Sequence, residues 1–560
     1  MNRNINQAIA SVLLSDVLLL SGCASTAATV DASAEPAAAE PASVSIISTS
    51  ELFSDRDLAG TWKESAAVAI RLAGNTADCD SPSVSVDGGT VTITEEGVYV
   101  LTGSLTDGQI VVSADDTAKV QLVLNGASIT SADSAAIYAK SADKVFVTLA
   151  ADTENALSNG GSYTAIDENN IDAVIFAKTD LTLNGSGSLT INAAAGHGVA
   201  AKDELTVTGG SYTVTAASHG ISAKDSIAIA DGVFAITAGK DGIHAENTDD
   251  TSKGILYIAD GTYAVDAQGD AISASGALQI DGGTFTLTTG GGSDTVTMTS
   301  DAMGEVGGHM GRPDAATAAP ENPPASETAS TDTTETVSCK GLKSDSTLTV
   351  NGGTFTLDTA DDAVHAGGDI QITGGEWTIK TGDDGIHADT SVTISDGNFS
   401  IPYCYEGVEG QSVTIDGGTL DIVSYDDGIN AAGGADGSGF GGRQDQFAAD
   451  ENCFIIVNGG SITIVSDGDS IDSNGDLTVN GGTLDLTCSG NGNTAIDTNG
   501  SYANNGGTVT TNDGSESGTG SMGGRPSDGE RPNRDGMGGK APGCRPGSEA
   551  AEQSSGTGGV

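Results

Sequence analysis

The sequence predicts an all-β protein, a right-handed parallel β-helix (solenoid) with coils of about 22 residues. Two observations support this prediction. Short runs of alternating β-branched residues are separated by Asn-Gly, Asp-Gly or Gly-Gly, the usual boundaries of strands and tight turns. The runs also recur at a fixed period with glycine at constant positions and no amphipathic helix, which is typical of a β-solenoid.

Two repeated elements set the period. The second has the form acid-Gly-Ile-x-Ala, and its acidic position is spaced by 22 residues from Asp362 to Asp384 and from Asp384 to Glu406. The first element precedes it, reads Leu-Thr-Val-x-Gly-Gly, and occurs at residues 205–210, 348–353 and 477–482. Because the two elements alternate, one coil contains both.

The N-terminal residues indicate export. Residues 1–22 have the apolar run of a signal peptide, and Leu20-Ser21-Gly22-Cys23 resembles a lipobox. Lipoprotein processing would acylate Cys23 and anchor the chain at the extracellular face of the cell membrane. An ordinary secretory signal with a chance cysteine is the alternative.

Composition divides the remainder of the chain. The stretch after Cys23 is rich in Ala, Pro, Glu, Ser and Thr, which predicts a flexible tether. The expected segments are a tether at 23–80, a parallel β-helix at 81–289 and 341–510, a disordered insertion at 290–340, and a disordered Gly-rich tail at 511–560.

The charge restricts the partners. The formal net charge is −55, from 77 acidic and 22 basic residues, which opposes binding to nucleic acid or to anionic membrane surfaces. Cations are the natural partners, and an anionic ligand would need a bridging divalent metal. We therefore expect no nucleic acid partner, membrane contact through the N-terminal lipid only, and a monomer.

The acidic position of the second element is the strongest candidate site. Stacked coils bring equivalent residues to about 4.8 Å, where like charges need a counterion. Calcium suits such a site because it accepts about six to eight oxygen ligands in flexible geometry. Alternatively, each aspartate only caps its own turn. The candidate calcium ligands, here called the acidic ladder, are Asp241, Asp270, Asp361, Asp362, Asp383, Asp384, Glu406, Asp426, Asp427 and Asp469.

Three histidines, His244, His365 and His387, follow the acidic position by three residues. Strand alternation places them outward, between inward-pointing Ile and Ala. They are candidates for contacting a sugar, and the alternative is that they are solvent-facing polar residues without a role. No His/Cys cluster with zinc spacing is present in the sequence.

Aromatic residues recur after the Gly-Gly pairs. Phe355 has the same strand parity as Leu357, so we predict an internal aromatic stack rather than a sugar platform. The recurring residues are Tyr212, Phe234, Tyr263, Phe285, Phe355, Trp377 and Phe399.

No catalytic residue is assigned. Paired carboxylates are too abundant to identify a glycosidase, whose two acids need a specific separation. A β-eliminating polysaccharide lyase needs a strong base beside calcium, and the basic residues noted near the acidic positions, Lys240 and Lys380, do not recur. We expect a protein that is not an enzyme, with a calcium-dependent lyase as the alternative.

Non-repetitive segments carry a family resemblance. Residues 97–103, 119–126 and 136–138, together with the Asp-Gly-Ile elements at Asp241 and Asp384, resemble the bacterial carbohydrate-binding parallel β-helix family. That family is typified by a clostridial surface protein that binds cellulose and polygalacturonate. The resemblance covers about residues 84–509. It implies bound calcium, a topology related to family nine polysaccharide lyases, and binding without clear catalysis. The chain departs from the pattern where histidine (at 197 and 219) or Glu406 replaces the aspartate.

The sequence thus predicts a cell-surface carbohydrate-binding lipoprotein that holds a plant or other acidic polysaccharide, pectin-like or a glucan, through calcium-organised acidic turns. Besides the lyase, a non-catalytic structural adhesin is the remaining alternative.

Overall fold

The computed structural model describes residues 47–48, 52–164, 167–298, 338–432, 449–490 and 492–518. These residues are almost entirely β structure, and hydrogen bonds join their strands into one long sheet in which most neighbours run parallel. The predicted all-β class is confirmed, and the arrangement is solenoid-like. The predicted signal peptide, Cys23, most of the 290–340 insertion and most of the C-terminal tail lie outside the described residues.

Residues 52–80, expected to belong to the tether, contain regular structure. A short α-helix, Asp55–Ala59, begins with a capping box at Ser54. The strand Ala67–Gly74 then pairs in parallel with Gly97–Leu105. Its alternating apolar residues are the physical reason, because they bury Ile70 completely against the first coil. The tether prediction extended the low-complexity composition of residues 23–50 too far along the chain.

The strands at the N-terminal end of the sheet include antiparallel as well as parallel pairings. Two of their pairings, Ala67–Gly74 with Ala77–Asp78 and Val84–Asp87 with Thr90–Ile93, are antiparallel. The strands are Ala67–Gly74, Ala77–Asp78, Val84–Asp87, Thr90–Ile93, Gly97–Leu105, Gln109–Ser113 and Lys119–Ser131.

From residue 137 onward the strands form three parallel series, in which each strand pairs with its equivalent one coil later. The aromatic series contains Glu154–Asn159, Ser188–Ala193, Ser211–Ala216, Val233–Ala238, Thr262–Ala267, Thr284–Thr289, Thr354–Thr359, Glu376–Thr381, Asn398–Cys404, Thr419–Ser424, Ser461–Ser466, Thr483–Cys488 and Thr508–Thr511.

The acidic series follows each acidic position. It contains Ile137–Ser141, Ala173–Ala177, His197–Ala201, Ile221–Ala223, Ile243–Ala245, Ile272–Ala274, Leu342–Ser344, Val364–Ala366, Ile386–Ile394, Val408–Ile415, Ile429–Ala431, Ile471–Ser473 and Ile496–Thr498.

The third series completes each coil. Two long strands, Ile386–Ile394 and Val408–Ile415, run through both the acidic and the third series. The remaining strands of the third series are Lys144–Leu149, Asp180–Gly185, Glu204–Val207, Ser226–Ile229, Ile255–Ile258, Leu278–Ile280, Leu348–Val350, Ile370–Ile372, Phe454–Val457, Asp476–Val479 and Tyr502–Asn504.

The core is a column of side chains from all three series. The seven aromatic residues predicted to stack inside are buried, and their rings lie nearly parallel along the aromatic series. The closest pair is Phe355 and Trp377, with ring centroids 3.8 Å apart. Gly375 (φ +111°) makes room for the indole, since a Cβ there would lie 2.8 Å from Trp377 Nε1. The internal aromatic stack is confirmed.

The edges of the two predicted disordered segments also contain structure. Within 290–340, Ser293–Thr295 forms a 3₁₀ turn, and within the tail Ser515–Ser517 forms another. A further 3₁₀ turn is Glu64–Ala66. In the part of the chain that the structure describes, no helix has the length and hydrophobicity needed to cross a bilayer.

Candidate functional site

The acidic residues occupy turns just before strands of the acidic series, and several of their carboxylates accept a backbone N–H of the next coil. Asp384 N–H donates to Asp362 Oδ1 at 3.2 Å, and Glu406 N–H donates to Asp384 Oδ1 at 3.0 Å. Asp469 N–H donates to Asp427 at 2.6 Å in the same way. The capping alternative applies within one turn at Asp361, whose Oδ1 accepts the Asp362 N–H at 2.9 Å, whereas the other three bonds run between coils. One oxygen of each carboxylate remains for other contacts.

The N-terminal end of the acidic ladder contains histidine. His219 Nδ1 lies 3.4 Å and His244 Nδ1 lies 2.7 Å from Asp241 Oδ2. We call these three residues the histidine cluster. Burial raises the pKa of Asp241, but the two histidines outweigh it and hold that pKa below its ordinary value. Asp241 is thus compensated by imidazole groups.

Lysines compensate the middle of the ladder. Lys340 occupies the acidic position of its coil, and its ammonium contacts Asp361 at 2.8 Å and Asp362 at 2.6 Å. Lys343 takes the place of the following histidine and lies 3.5 Å from the buried Asp270. Burial opposes charge on both lysines, yet the neighbouring carboxylates raise each pKa above its ordinary value. Both side chains are therefore protonated.

Sequence reasoning missed this pair of lysines. It considered only Lys240 and Lys380, which lie beside the acidic positions rather than at them. The signal was present in Lys340-Gly341-Leu342, which has the acid-Gly-Ile form with lysine in the acidic position.

The three predicted ligand-binding histidines point outward by strand alternation but are not solvent-facing. His244 and His365 are about 15% exposed, and His387 is 2% exposed. The reason is that carboxylates of adjacent coils cover them: His387 Nδ1 lies 3.6 Å from both Asp362 and Asp384. Burial lowers the pKa of His387, but Asp362 and Glu409 raise it to about 9. Its charge compensates neighbouring acids.

The C-terminal end of the ladder lacks such compensation. Among the described residues, no Lys, Arg or His forms an ion pair with Glu406, Asp427 or Asp469. Carboxylate oxygens of Asp469, Asp472 and Asp497 lie within 4.8 Å of one another. We use the name carboxylate cluster for the acids from Asp384 onward at or near the acidic positions, of which Asp384 and Glu409 also contact His387. Its members are Asp384, Glu406, Glu409, Asp426, Asp427, Asp469, Asp472 and Asp497.

Proximity and burial perturb these acids strongly. Burial, together with the charge of Asp472, raises the pKa of Asp427 to about 9. Burial likewise raises the pKa of Asp472 to about 7 and that of Asp469 to about 6. Burial and the charge of Glu409 raise the pKa of Glu406 well above its ordinary value. A cation among these groups would remove the repulsion between them.

An amide oxygen also faces this cluster without a partner. Asn430 is 7% exposed and pairs in register with Glu409 on one side and Asp472 on the other. Its Nδ2 donates to Glu406 at 2.9 Å, whereas its buried Oδ1 accepts no hydrogen bond. A buried acceptor without a donor is costly. The donor set of carboxylates and an amide oxygen therefore fits a hard cation such as Ca²⁺.

A shallow groove lies beside the carboxylate cluster, on the outer side of the aromatic series. A register irregularity between Ile401 and Cys404 places Tyr403 outward, where it is 39% exposed. The groove has a volume of about 190 Å³. Its lining, here called the Tyr403 groove, is Pro402, Tyr403, Cys404, Val423, Ser424, Tyr425, Val465, Ser466 and Asp467. The repeat pattern did not predict it, because it arises where the repeat is broken.

The predicted ligands therefore do not form one site. The structure brings Asp361, Asp362 and Asp383 within 4.8 Å of one another, but Lys340 contacts the first two. The remaining predicted ligands divide between the histidine cluster, the Lys343 contact of Asp270, and the carboxylate cluster. Sequence reasoning missed Glu409, Asp472 and Asn430, which occupy the histidine position of later coils.

A family model and a curated relative indicate the same family. Residues 87–385 and 385–522 match the family model described as carbohydrate-binding domain-containing protein. The carbohydrate-binding domain-containing protein of Acetivibrio thermocellus is 39% identical over 133 residues, which are 23% of this chain and 46% of that protein. The chain thus spans about half the length of this curated relative.

One solved structure is also similar in sequence. The polysaccharide lyase-like protein from C. thermocellum, a gadolinium derivative, is 36% identical and covers 40% of this chain and 92% of that chain. It superposes with a TM-score of 0.39. The fold described above rests on the strand pairing and not on this superposition.

Proposed function

The chain belongs to the family of carbohydrate-binding domain-containing proteins, and on that premise we propose that it binds an acidic polysaccharide through calcium held by the carboxylate cluster. The supporting observation is a concentration of partly buried carboxylates in which Glu406, Asp427 and Asp469 form no ion pair with a described basic side chain. We assign the calcium ligands to the C-terminal end of the acidic ladder, namely Asp384, Glu406, Asp426, Asp427 and Asp469, and add Glu409, Asn430 and Asp472.

The choice of metal follows from the donors. All of these side chains offer oxygen, and Ca²⁺ accepts a variable number of oxygen ligands at about 2.3–2.6 Å. At the other end of the ladder, Asp241, Asp270, Asp361 and Asp362 already contact imidazole or ammonium groups. We therefore do not extend the calcium proposal to that end.

The ligand class follows from charge. A protein with a net charge of −55 repels a polyuronate unless cations bridge the two. A partly exposed calcium ion keeps coordination positions for sugar carboxylate and hydroxyl oxygens. This arrangement explains how so acidic a surface holds a pectin-like polymer.

The Tyr403 groove supplies a second contact for the same polymer. Tyr405 Oη donates a hydrogen bond to Asp426 at 2.9 Å, and this bond links the turn beside the groove to the carboxylate cluster. A sugar ring stacks on an exposed tyrosine with its apolar face, while Asp467 offers a polar contact at the rim. An uncharged glucan would bind in this groove by the same stacking contact.

Binding without catalysis is the activity we favour. A lyase needs an unprotonated base beside the metal, but Lys340 and Lys343 are held protonated by carboxylates. We propose in addition a right-handed parallel β-helix with coils of about 22 residues, since parallel neighbours are joined by hydrogen bonds between residues 22 apart. A monomeric surface lipoprotein acylated at Cys23 completes the proposal, on the strength of the N-terminal sequence.

A binding panel tests this function. The full chain is titrated with polygalacturonate and with soluble cello-oligosaccharides, each in Ca²⁺ and in EDTA. We expect polygalacturonate binding in Ca²⁺ and its loss in EDTA. Equal affinity in both conditions contradicts calcium bridging. Release of unsaturated uronides, seen as ultraviolet absorbance, would favour the lyase, and adhesion to protein without any glycan binding would favour the adhesin.

A further inference from the structure

The histidine cluster has a donor set that differs from the rest of the ladder. His219 comes from one coil and both Asp241 and His244 come from the next, and one ligand atom from each of the three lies within 4.8 Å of the others. All three side chains are about 15% exposed or less. The rings of His219 and His244 stack with centroids 4.3 Å apart, which fixes their relative orientation. The cluster is therefore organised and largely shielded from solvent.

The contact between His244 and Asp241 is not an ordinary hydrogen bond. The two atoms are 2.7 Å apart, yet buried His244 Nδ1 makes no hydrogen bond, because the groups are not aligned for donation. Across the ring, Nε2 lies 3.4 Å from the Glu246 carboxylate, which can accept its proton. In that tautomer Nδ1 carries no proton and lies 2.7 Å from a carboxylate oxygen. A contact this short needs either a proton on the imidazole or a metal ion, and the ring has to turn to direct the Nδ1 lone pair at such an ion.

The other ligands are also held in place. Asp241 Oδ1 accepts the backbone N–H of Asp270 at 2.9 Å, which orients the carboxylate and leaves Oδ2 for the cluster. His219 Nδ1 accepts the backbone N–H of Asp241 in a long contact of 3.3 Å, which a metal ion bound to this nitrogen has to replace. Asp241 and His244 each have a contact on the side away from the cluster, which is the usual support of a protein metal site.

We propose that His219, Asp241 and His244 bind a borderline divalent transition metal, of which Zn²⁺ is the reference ion. Two imidazole nitrogens and one carboxylate suit zinc and disfavour calcium, which prefers oxygen donors. Donors about 2.0–2.1 Å from a tetrahedral zinc lie about 3.3 Å from each other. The His219–Asp241 separation of 3.4 Å meets this value, whereas the His244–Asp241 pair has to open by about half an ångström and the stacked rings have to tilt so that both Nδ1 atoms face one ion. This site is independent of the proposed calcium function.

The sequence did not show this site because its ligands are 22 and 3 residues apart, and the first spacing joins residues only once the coils stack. Position 365 offers a matched comparison. His365 has the same place after its acid and a similar exposure, but it makes a 3.0 Å hydrogen bond with Asp362, which Lys340 also contacts. That acid already has its cations, so His365 is not part of the proposed site.

Zinc titration of the full chain tests the proposal. The protein carries a histidine-free affinity tag, is stripped with chelator, and is titrated with Zn²⁺ against a chromophoric chelator in excess Ca²⁺, which occupies oxygen-only sites. We expect tight binding of Zn²⁺ by the unmodified chain. His244→Gln, His219→Gln and Asp241→Asn should each weaken it by at least about tenfold, and His365→Gln should leave it unchanged.

Cobalt gives a readout that does not depend on any variant folding. Co²⁺ bound to the unmodified chain should show visible absorption bands of a low-coordinate N/O site, and Zn²⁺ should displace them. Absence of zinc binding in Ca²⁺, or equal loss in His365→Gln and His244→Gln, overturns the proposal. Loss of Zn²⁺ binding would leave calcium-dependent polygalacturonate binding intact, so the two proposals fail separately.

Discussion

The carboxylate of Asp384 accepts the backbone N–H of Glu406 at 3.0 Å, across two successive coils. This acid thus has two tasks, since one oxygen fixes the next turn and the other lies 3.6 Å from His387 among neighbouring acids. These tasks can be separated by mutation, because an amide keeps the acceptor oxygen but removes the charge.

Asp384→Ala and Asp384→Asn should therefore differ in stability. In EDTA at neutral pH, Ala leaves the Glu406 N–H without its acceptor, and the free energy of unfolding should fall by about 1–3 kcal/mol. Asn keeps the bond and removes a group whose pKa burial and Glu406 raise well above its ordinary value. We expect Asn to match or exceed the unmodified chain in urea unfolding. If Asn is as unstable as Ala, the charge itself stabilises the fold.

Stability without metal should fall as pH rises. Asp469, Asp472 and Asp427 have folded pKa values of about 6, 7 and 9, all above the unfolded value near 4. Between about pH 4 and about pH 9 the folded chain holds more protons, so the free energy of unfolding decreases with pH, and the loss is complete above about pH 9.

Calcium should abolish that trend, because it binds the ionised carboxylates and replaces the protons. Urea unfolding in EDTA and in Ca²⁺ across this pH range measures both effects. Asp427→Asn should flatten the slope in EDTA. A flat profile for the unmodified chain in EDTA would mean that these acids are not protonated when the chain is folded.

Glu406→Gln and Asp427→Asn should weaken both calcium binding and the calcium-dependent binding of polygalacturonate. Each removes one oxygen anion from a site whose affinity depends on ligand charge, and we expect a loss of about tenfold or more in calcium affinity. Calorimetric titration with Ca²⁺ gives the affinity directly.

Asp485→Asn is the control for these variants. It removes the same charge from an exposed residue of the aromatic series, away from the ladder. A comparable loss in this control would attribute the effect to net charge instead of the carboxylate cluster.

The sequence predicted the parts of the fold that follow the repeat and missed a strand that lies outside it. Strand parity alone placed Phe355 and Leu357 inside, and both are buried. The repeat could not extend to the strand Ala67–Gly74, which has no glycine signature and joins the sheet only through its pairing with Gly97–Leu105. Local composition misled there because the stabilising contacts are made with a later segment.

The candidate site was predictable in position but not in chemistry. Spacing placed Asp362 and Asp384 on adjacent coils, and the structure shows them joined by a hydrogen bond. The prediction did not include Lys340, although its partner Asp362 lies one period of 22 residues away, because the second element was defined by an acid at the position that lysine occupies there. The sequence could not show that Asn430 faces the uncompensated part. Such contacts exist only after the register of the coils is fixed.

Tyr403→Ala should weaken binding of glucans and polyuronates without loss of calcium affinity. Stacking of an aromatic ring is worth about 0.5–1.5 kcal/mol, so the dissociation constant should rise about two- to tenfold. Tyr403→Phe should keep most of the affinity. Val233→Ala, which trims another exposed apolar residue of the aromatic series, is the control. If Tyr403→Ala binds both polymers normally, the groove is not a saccharide contact.

Trp377 tests whether the aromatic stack stabilises the solenoid-like fold. Trp377→Ala leaves a cavity between Phe355 and Phe399, and the free energy of unfolding should fall by about 3–5 kcal/mol. Trp377→Phe places in this position the ring that both neighbours already have, and should cost less than about 1.5 kcal/mol. Denaturant unfolding in Ca²⁺ measures both, with tryptophan-independent circular dichroism as the signal. The indole N–H of Trp377 donates to the Gly374 carbonyl at 3.3 Å. Equal destabilisation by Phe and Ala would mean that this hydrogen bond, and not ring stacking, is the main contribution of Trp377.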